Sequence, residues 1–169
     1  MRITIIGLPG SGKSTLAHKI AEKKHIPHIH IDRFWLENGG GQNSRTTPNP
    51  ELVHASVKEK VLKLIQQESW VSDGFYSNIQ PEIAERADTI IFLDIPLWRR
   101  LLNHAGRIIN SEKRHKELTF WGDLTFFFEM IGRESTKASK IKNFLEPYKI
   151  KTVVLKSHKE IEQYLQTLN

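Results

Sequence analysis

Gly7, Gly12, Lys13 and Ser14 follow the spacing Gly, four residues, Gly-Lys-Ser, inside the stretch Gly-Leu-Pro-Gly-Ser-Gly-Lys-Ser-Thr. Residues of these types at this spacing can hold a polyphosphate. Glycines at 7, 10 and 12 let the backbone come close to an anion and turn several N–H groups toward it. A helix starting at the loop's end would add its positive pole. The pattern predicts a cradle built from Gly7, Leu8, Pro9, Gly10, Ser11, Gly12, Lys13, Ser14 and Thr15. Lys13 would reach the outer phosphates and the Ser14 hydroxyl would serve Mg²⁺. The expected ligands are therefore ATP and Mg²⁺. The alternative, a Gly-rich turn without a ligand, is disfavoured by the order strand, loop, helix around the motif.

Three acids stand where predicted strands end, the place where parallel α/β sheets bind ligands. Asp73 is read as the carboxylate behind the Mg²⁺, so Ser14 and Asp73 form the expected metal pair. Asp32 is read as the group that accepts or orients the hydroxyl of a phosphoryl acceptor. The alternative for Asp32 is a helix cap or a loop hydrogen bond, and for Asp73 a turn before Gly74. Asp94 precedes Ile95-Pro96 and is weighed mainly as a cap for the next helix. His28 and His30 share a face of one short strand. With no third ligand nearby, packing or solvent roles are preferred to a metal pair.

The chain carries 25 basic and 19 acidic residues, a net charge of +6. From Arg99 to Lys116 six basic residues face one acid, Glu112, so that segment holds nearly the whole excess. Arg107 is the first choice for a guanidinium that closes over the transferring phosphoryl group, with Arg114 beyond it and Arg133 a weaker candidate. Such closure would also exclude water and suppress hydrolysis. The alternative is a solvated basic face.

The elements that must position these groups alternate regularly. Apolar β-branched runs at Ile3–Ile6, His28–Ile31, Ser69–Ser72, Thr89–Leu93 and Thr152–Leu155 read as strands. Helical spacing marks residues 14–24, 50–67, 79–86, a basic helix to about 109, 120–145 and 158–168. Residues 34–49 read as a long polar loop. The expected fold is α/β: a three-layer P-loop NTPase sandwich around a five-stranded parallel sheet, with a small helical lid. The 169 residues suit one domain, 1–169, with the lid at about 107–133. No cysteine is present, which excludes disulfides and thiolate metal sites. The sequence shows no signal-peptide pattern and no apolar run of membrane-spanning length, so a cytoplasmic location is expected.

With these residues placed, the chain resembles P-loop kinases of the adenylate and shikimate kinase group. Trp70-Val71-Ser72-Asp73-Gly74-Phe75 is similar to the Asp-Gly-Phe-Pro-Arg signature of adenylate kinases, where the Asp organises Mg²⁺ through water. Phe92-Leu93-Asp94-Ile95-Pro96 and Arg107 resemble that group's fourth strand and the arginine opening its lid. The likeness is closer to bacterial DNA topology modulation proteins. It rests on Asp32-Arg33-Phe34-Trp35, on Trp70-Val71-Ser72-Asp73-Gly74 followed by Tyr76, on Leu93-Asp94-Ile95-Pro96, and on Leu155-Lys156-Ser157. The resemblance implies that Ser157 and His158 lie beside the adenine. Tyr76 and Ser77 replace the Pro-Arg of adenylate kinases, and Asn103 replaces the arginine set against their adenine ring. AMP is thus poorly supported as the acceptor.

The preferred reading is a kinase that moves the γ-phosphate of Mg·ATP to a small-molecule or nucleotide acceptor. Lid arginines and an acceptor carboxylate are superfluous for binding alone. Two alternatives stand beside it: a nucleotide switch without transfer, and an ATP-dependent regulator whose basic segment contacts nucleic acid. No helix-turn-helix, zinc finger or RNA-binding signature accompanies the latter.

Overall fold

The computed structural model describes residues 1–41, 47–111 and 134–168. Five strands, β1 (Arg2–Gly7), β2 (His28–His30), β3 (Trp70–Asp73), β4 (Thr89–Leu93) and β5 (Thr152–Leu155), form one parallel sheet in the order β2-β3-β1-β4-β5. Ile3, Thr4, Ile5 and Ile6 are all fully buried, as a central parallel strand covered on both faces requires.

The helices are α1 (Lys13–Lys24), α2 (Ile31–Glu37), α3 (Pro50–Leu64), α4 (Gln80–Arg86), α5 (Leu97–Ser111), α6 (Glu134–Leu145) and α7 (His158–Thr167). A 3₁₀ turn, Glu146–Lys151, joins α6 to β5. Alternation along β1 feeds two cores. Ile3 and Ile5 pack with Leu16, Ala17 and Ile20 of α1 and with Ile161 and Leu165 of α7. Ile6 packs on the other face with Val57 and Val61 of α3, Ile83 of α4 and Leu145 of α6. Helices thus cover both faces, and the three-layer P-loop sandwich is the fold observed.

Two expectations need correction. β2 stops at His30, and the stretch from Phe34 expected to be loop begins inside a helix. Ile31 and Trp35, one turn apart, are both buried, and Arg33 and Glu37 pair at 2.8 Å across the solvent side. An apolar stripe opposite an i,i+4 ion pair is enough to make this a helix. Asp32 consequently lies in the first turn of α2 rather than at a strand end. Asn49 and Pro50 open α3, and Asn49 takes a left-handed conformation (φ 49°) and makes no side-chain cap bond. Of the expected lid, residues 112–133 lie outside the described residues, and with them Arg114 and Arg133; Arg107 belongs to the backbone of α5, its side chain undescribed. Among the described residues no helix is long and apolar enough to cross a membrane.

Candidate active site

The loop after β1 lies between the carboxyl ends of β3 and β4, where the chain switches from one side of the sheet to the other. Gly10 and Gly12 hold positive φ (76° and 90°), and Gly12 is the residue from which α1 starts. The first turn of α1 carries no acid, while Lys23 and Lys24 close its last turn. Its positive pole faces the loop, which favours an anion there. Ser11 is buried and its Oγ has no hydrogen-bond partner among the described residues. A buried hydroxyl of this kind can bond a water or a ligand oxygen. The Lys13 ammonium donates to Leu8 O at 3.2 Å and so stays over the loop that it follows.

The loop is gripped from behind by α5. Arg100, 1% exposed, donates from Nε to Ile95 O at 3.0 Å and from Nη1 to Pro9 O at 3.2 Å. Asn103 donates to Gly10 O at 2.9 Å. A Cβ at Gly10 would sit 2.8 Å from Arg100 O, so loop and helix are in direct backbone contact. By their spacing Arg99, Arg100 and Arg107 can share a broad helix face. Instead Arg100 points inward and anchors the loop, while Arg99 lies over the Trp98 ring at 4.7 Å.

Asp73 ends β3 beside the loop and is fully buried. Its Oδ2 accepts from Ser14 Oγ at 2.5 Å, and its Oδ1 meets His28 Nε2 at 2.8 Å and His30 Nδ1 at 3.5 Å. The sequence reading missed this pair of histidines. Their period-two spacing was visible, but the pairing of β2 with β3 that brings them to Asp73 was not. Burial by itself would raise the Asp73 pKa. The hydrogen bonds of His28 and Ser14 and the nearby charges of His30 and His28 outweigh it and hold the group below the ordinary 3.8. Ser14 and Asp73 together offer the hard oxygen donors that Mg²⁺ takes alongside phosphates and water.

That lowered value has a consequence for acid stability. The charged form is favoured by folding, so its contribution is complete above pH 3.8 and is lost as the pH falls through the lower folded value. In EDTA, the unfolding free energies of wild type and Asp73→Asn should therefore draw together as the pH falls below about 4. A difference unchanged into strong acid would contradict this.

From Asp73 the chain reaches the second half of the site through one glycine. Gly74 has φ 121°, and a Cβ there would lie 3.3 Å from Ile31 Cβ. This bend lets α2 pack against the end of β3 and brings Tyr76 back, so that its hydroxyl donates to Asp32 Oδ1 at 3.0 Å. Burial first, then the charge of Asp32 and the hydrogen bond to it, push the Tyr76 phenol well above its ordinary 10.0, so it stays a donor. Trp35 stands 6.2 Å from the Tyr76 ring and 4.6 Å from His54. Gly74→Ala should cost about 1–3 kcal/mol in urea unfolding, because strain at positive φ adds to the contact with Ile31.

Ser157 and His158 follow β5, whose Leu155 accepts from the backbone of Asp94 at 3.0 Å. Ser157 caps α7: its Oγ accepts from Glu160 N at 3.2 Å and donates to Glu160 Oε1 at 3.0 Å, while Lys156 N donates to Glu160 Oε2 at 2.8 Å. The Ser157 hydroxyl is thus engaged in a capping box. Asp94 is partly exposed, 3.8 Å from Lys142 Nζ. The structure thus brings Ser14 to Asp73, keeps Lys13 over the loop, and pairs Asp32 with Tyr76, three residues beyond Asp73.

No protein-family model matches the chain. Curated relatives are adenylate kinases. That of Thermosynechococcus vestitus is 31% identical over 137 residues, 68% of this chain and 70% of the enzyme. That of Methanothrix thermoacetophila is 29% identical over 183 aligned positions, 90% of this chain and 83% of the enzyme. The Streptomyces coelicolor adenylate kinase is 27% identical, and the chain spans 63% of its length. Among solved structures, shikimate kinase from Bacteroides thetaiotaomicron superposes with a TM-score of 0.58 at 19% identity, over 99% of this chain and 96% of that one. Shikimate kinase from Acinetobacter baumannii, in complex with shikimate, gives 0.56 at 15% identity, over 99% and 89%.

Proposed function

The chain belongs to the adenylate kinase family of P-loop phosphotransferases, and from that premise we propose that it transfers the γ-phosphate of Mg·ATP to a small-molecule or nucleotide acceptor held beside Asp32. The observation that carries this reading is the short stretch Asp73–Tyr76, whose first residue meets Ser14 of the phosphate loop and whose last donates to Asp32. It joins a phosphate-binding half to a half fitted for a hydroxyl group. Binding alone would not require the second half.

In this reading the loop amides and Lys13 bind the phosphates and favour the charge that spreads over the transferring group. Ser14 and Asp73 would hold Mg²⁺, which when bound neutralises phosphate charge and orients the β- and γ-phosphates. His28 keeps the Asp73 carboxylate aimed at Ser14. Asp32 receives the proton of the acceptor hydroxyl while Tyr76 fixes the carboxylate's orientation. Arg107 and Arg114 are proposed to close over the site from α5 and the segment after it. Ser157 and His158 are proposed to flank the adenine, supported by the position of β5 beside β4. A cytoplasmic location suits this use of ATP.

The test is transfer from γ-labelled ATP across nucleosides, nucleotides, sugars and cofactors, with and without Mg²⁺. Tight ATP binding without transfer to any acceptor would leave only a nucleotide switch.

A further inference from the structure

Given the phosphoryl-transfer function above, on which this depends, we infer that the acceptor is a ring-bearing alcohol without a phosphate of its own, neutral or cationic in charge. An open cavity of about 470 Å³ is lined by Glu51, His54, Phe75, Tyr76, Ser77 and Asn78, and its Tyr76 donates to Asp32. Its size suits a molecule as large as a nucleoside or a small sugar. Two of its six lining residues, Phe75 and Tyr76, are aromatic, and the Trp35 ring stands near those of Tyr76 and His54. Such walls favour a ring over a flexible chain.

The charge of the walls selects further. Glu51 is an acid in the lining, and Tyr76 leads directly to a second carboxylate, Asp32. Among the described residues no Lys or Arg lines the cavity. Lys58 touches its rim through the Asn78 carbonyl at 3.1 Å, and its ammonium is paired with Glu82 at 2.8 Å. Arg33, next to Asp32 in sequence, is 72% exposed and paired with Glu37 at 2.8 Å. A phosphate dianion placed here would meet carboxylates, and among the described residues no Lys or Arg of the lining would offset them. A hydroxyl, by contrast, finds an acceptor in Asp32, whose Oδ1 is already taken by Tyr76.

The step balances without any further reagent. The acceptor hydroxyl oxygen forms its bond to the γ-phosphorus as the bond from that phosphorus to the β,γ-bridging oxygen breaks. The hydroxyl proton passes to Asp32, and ADP leaves with the bridging electron pair.

The experiment uses the full chain with γ-labelled ATP and Mg²⁺, and acceptors at about 1 mM. Three arms are run: ribo- and deoxyribonucleosides, amino sugars and cyclic polyols, and the nucleoside monophosphates. Calorimetry with Mg·ATP runs in parallel. The expected result is transfer in the first or second arm, with every monophosphate at least about tenfold poorer in kcat/KM. Which of the two arms responds separates a planar base from a puckered ring. Glu51→Lys should narrow or reverse the preference against monophosphates. Monophosphates used as well as the best uncharged acceptor would overturn the inference, as would silence in both phosphate-free arms while ATP still binds. Loss of ATP binding itself would instead remove the function on which the inference stands.

Discussion

Lys13→Ala should lower kcat/KM for ATP-dependent transfer by roughly three orders of magnitude while leaving the fold intact. The ammonium is the one cation that the loop itself carries, and it already lies over the loop through its bond to Leu8 O. Removing it withdraws charge from the place where negative charge moves during transfer. The loop amides and the helix pole remain, so residual binding of ATP is expected with a larger loss in kcat than in KM. Lys13→Arg should not restore the activity, because a planar fork cannot follow a point charge into a cradle shaped by backbone. Circular dichroism and urea midpoints serve as the control, since Leu16, Ala17 and Ile20 hold α1 in the core whatever stands at 13. Full turnover in Lys13→Ala would refute the phosphate-binding reading.

Asp32→Asn should leave Mg·ATP affinity within about twofold and reduce transfer by roughly 10²- to 10⁴-fold. The amide retains an oxygen able to accept from Tyr76, so the local geometry survives. What disappears is the capacity to take a proton. Calorimetry with ATP, set against single-turnover transfer, separates these effects. If turnover is unchanged, Asp32 serves only the first turn of α2, where an acid also complements the helix pole.

The phosphate half of the site was legible in the sequence because its chemistry is local. Gly7 to Thr15 is one stretch, preceded by a strand and followed by a helix, and spacing alone fixes what it can do. Asp73 and Asp32 were proposed from a rule about strand ends, which describes Asp73 but not Asp32, since Asp32 lies in the first turn of α2. The signal for α2 was present in Ile31 and Trp35 and in Arg33 and Glu37, but a three-residue strand running straight into a helix offers no turn residue to mark the boundary. Arg100 could not be read. Nothing in Trp98-Arg99-Arg100-Leu101 says which guanidinium turns inward, since that depends on two carbonyls, one of them 91 residues away. His28 and His30 were opaque for a similar reason. Their partner belongs to a neighbouring strand, and neighbours in a parallel sheet are set by topology and not by spacing.

The hold of Arg100 and Asn103 on the carbonyls of Pro9 and Gly10 makes the N-terminal motif and a helix some ninety residues later one mechanical part. A chimaera that borrows the motif from a relative and keeps this helix would inherit mismatched halves. The two segments have to be exchanged together, and a random library that varies one should recover compensating changes in the other.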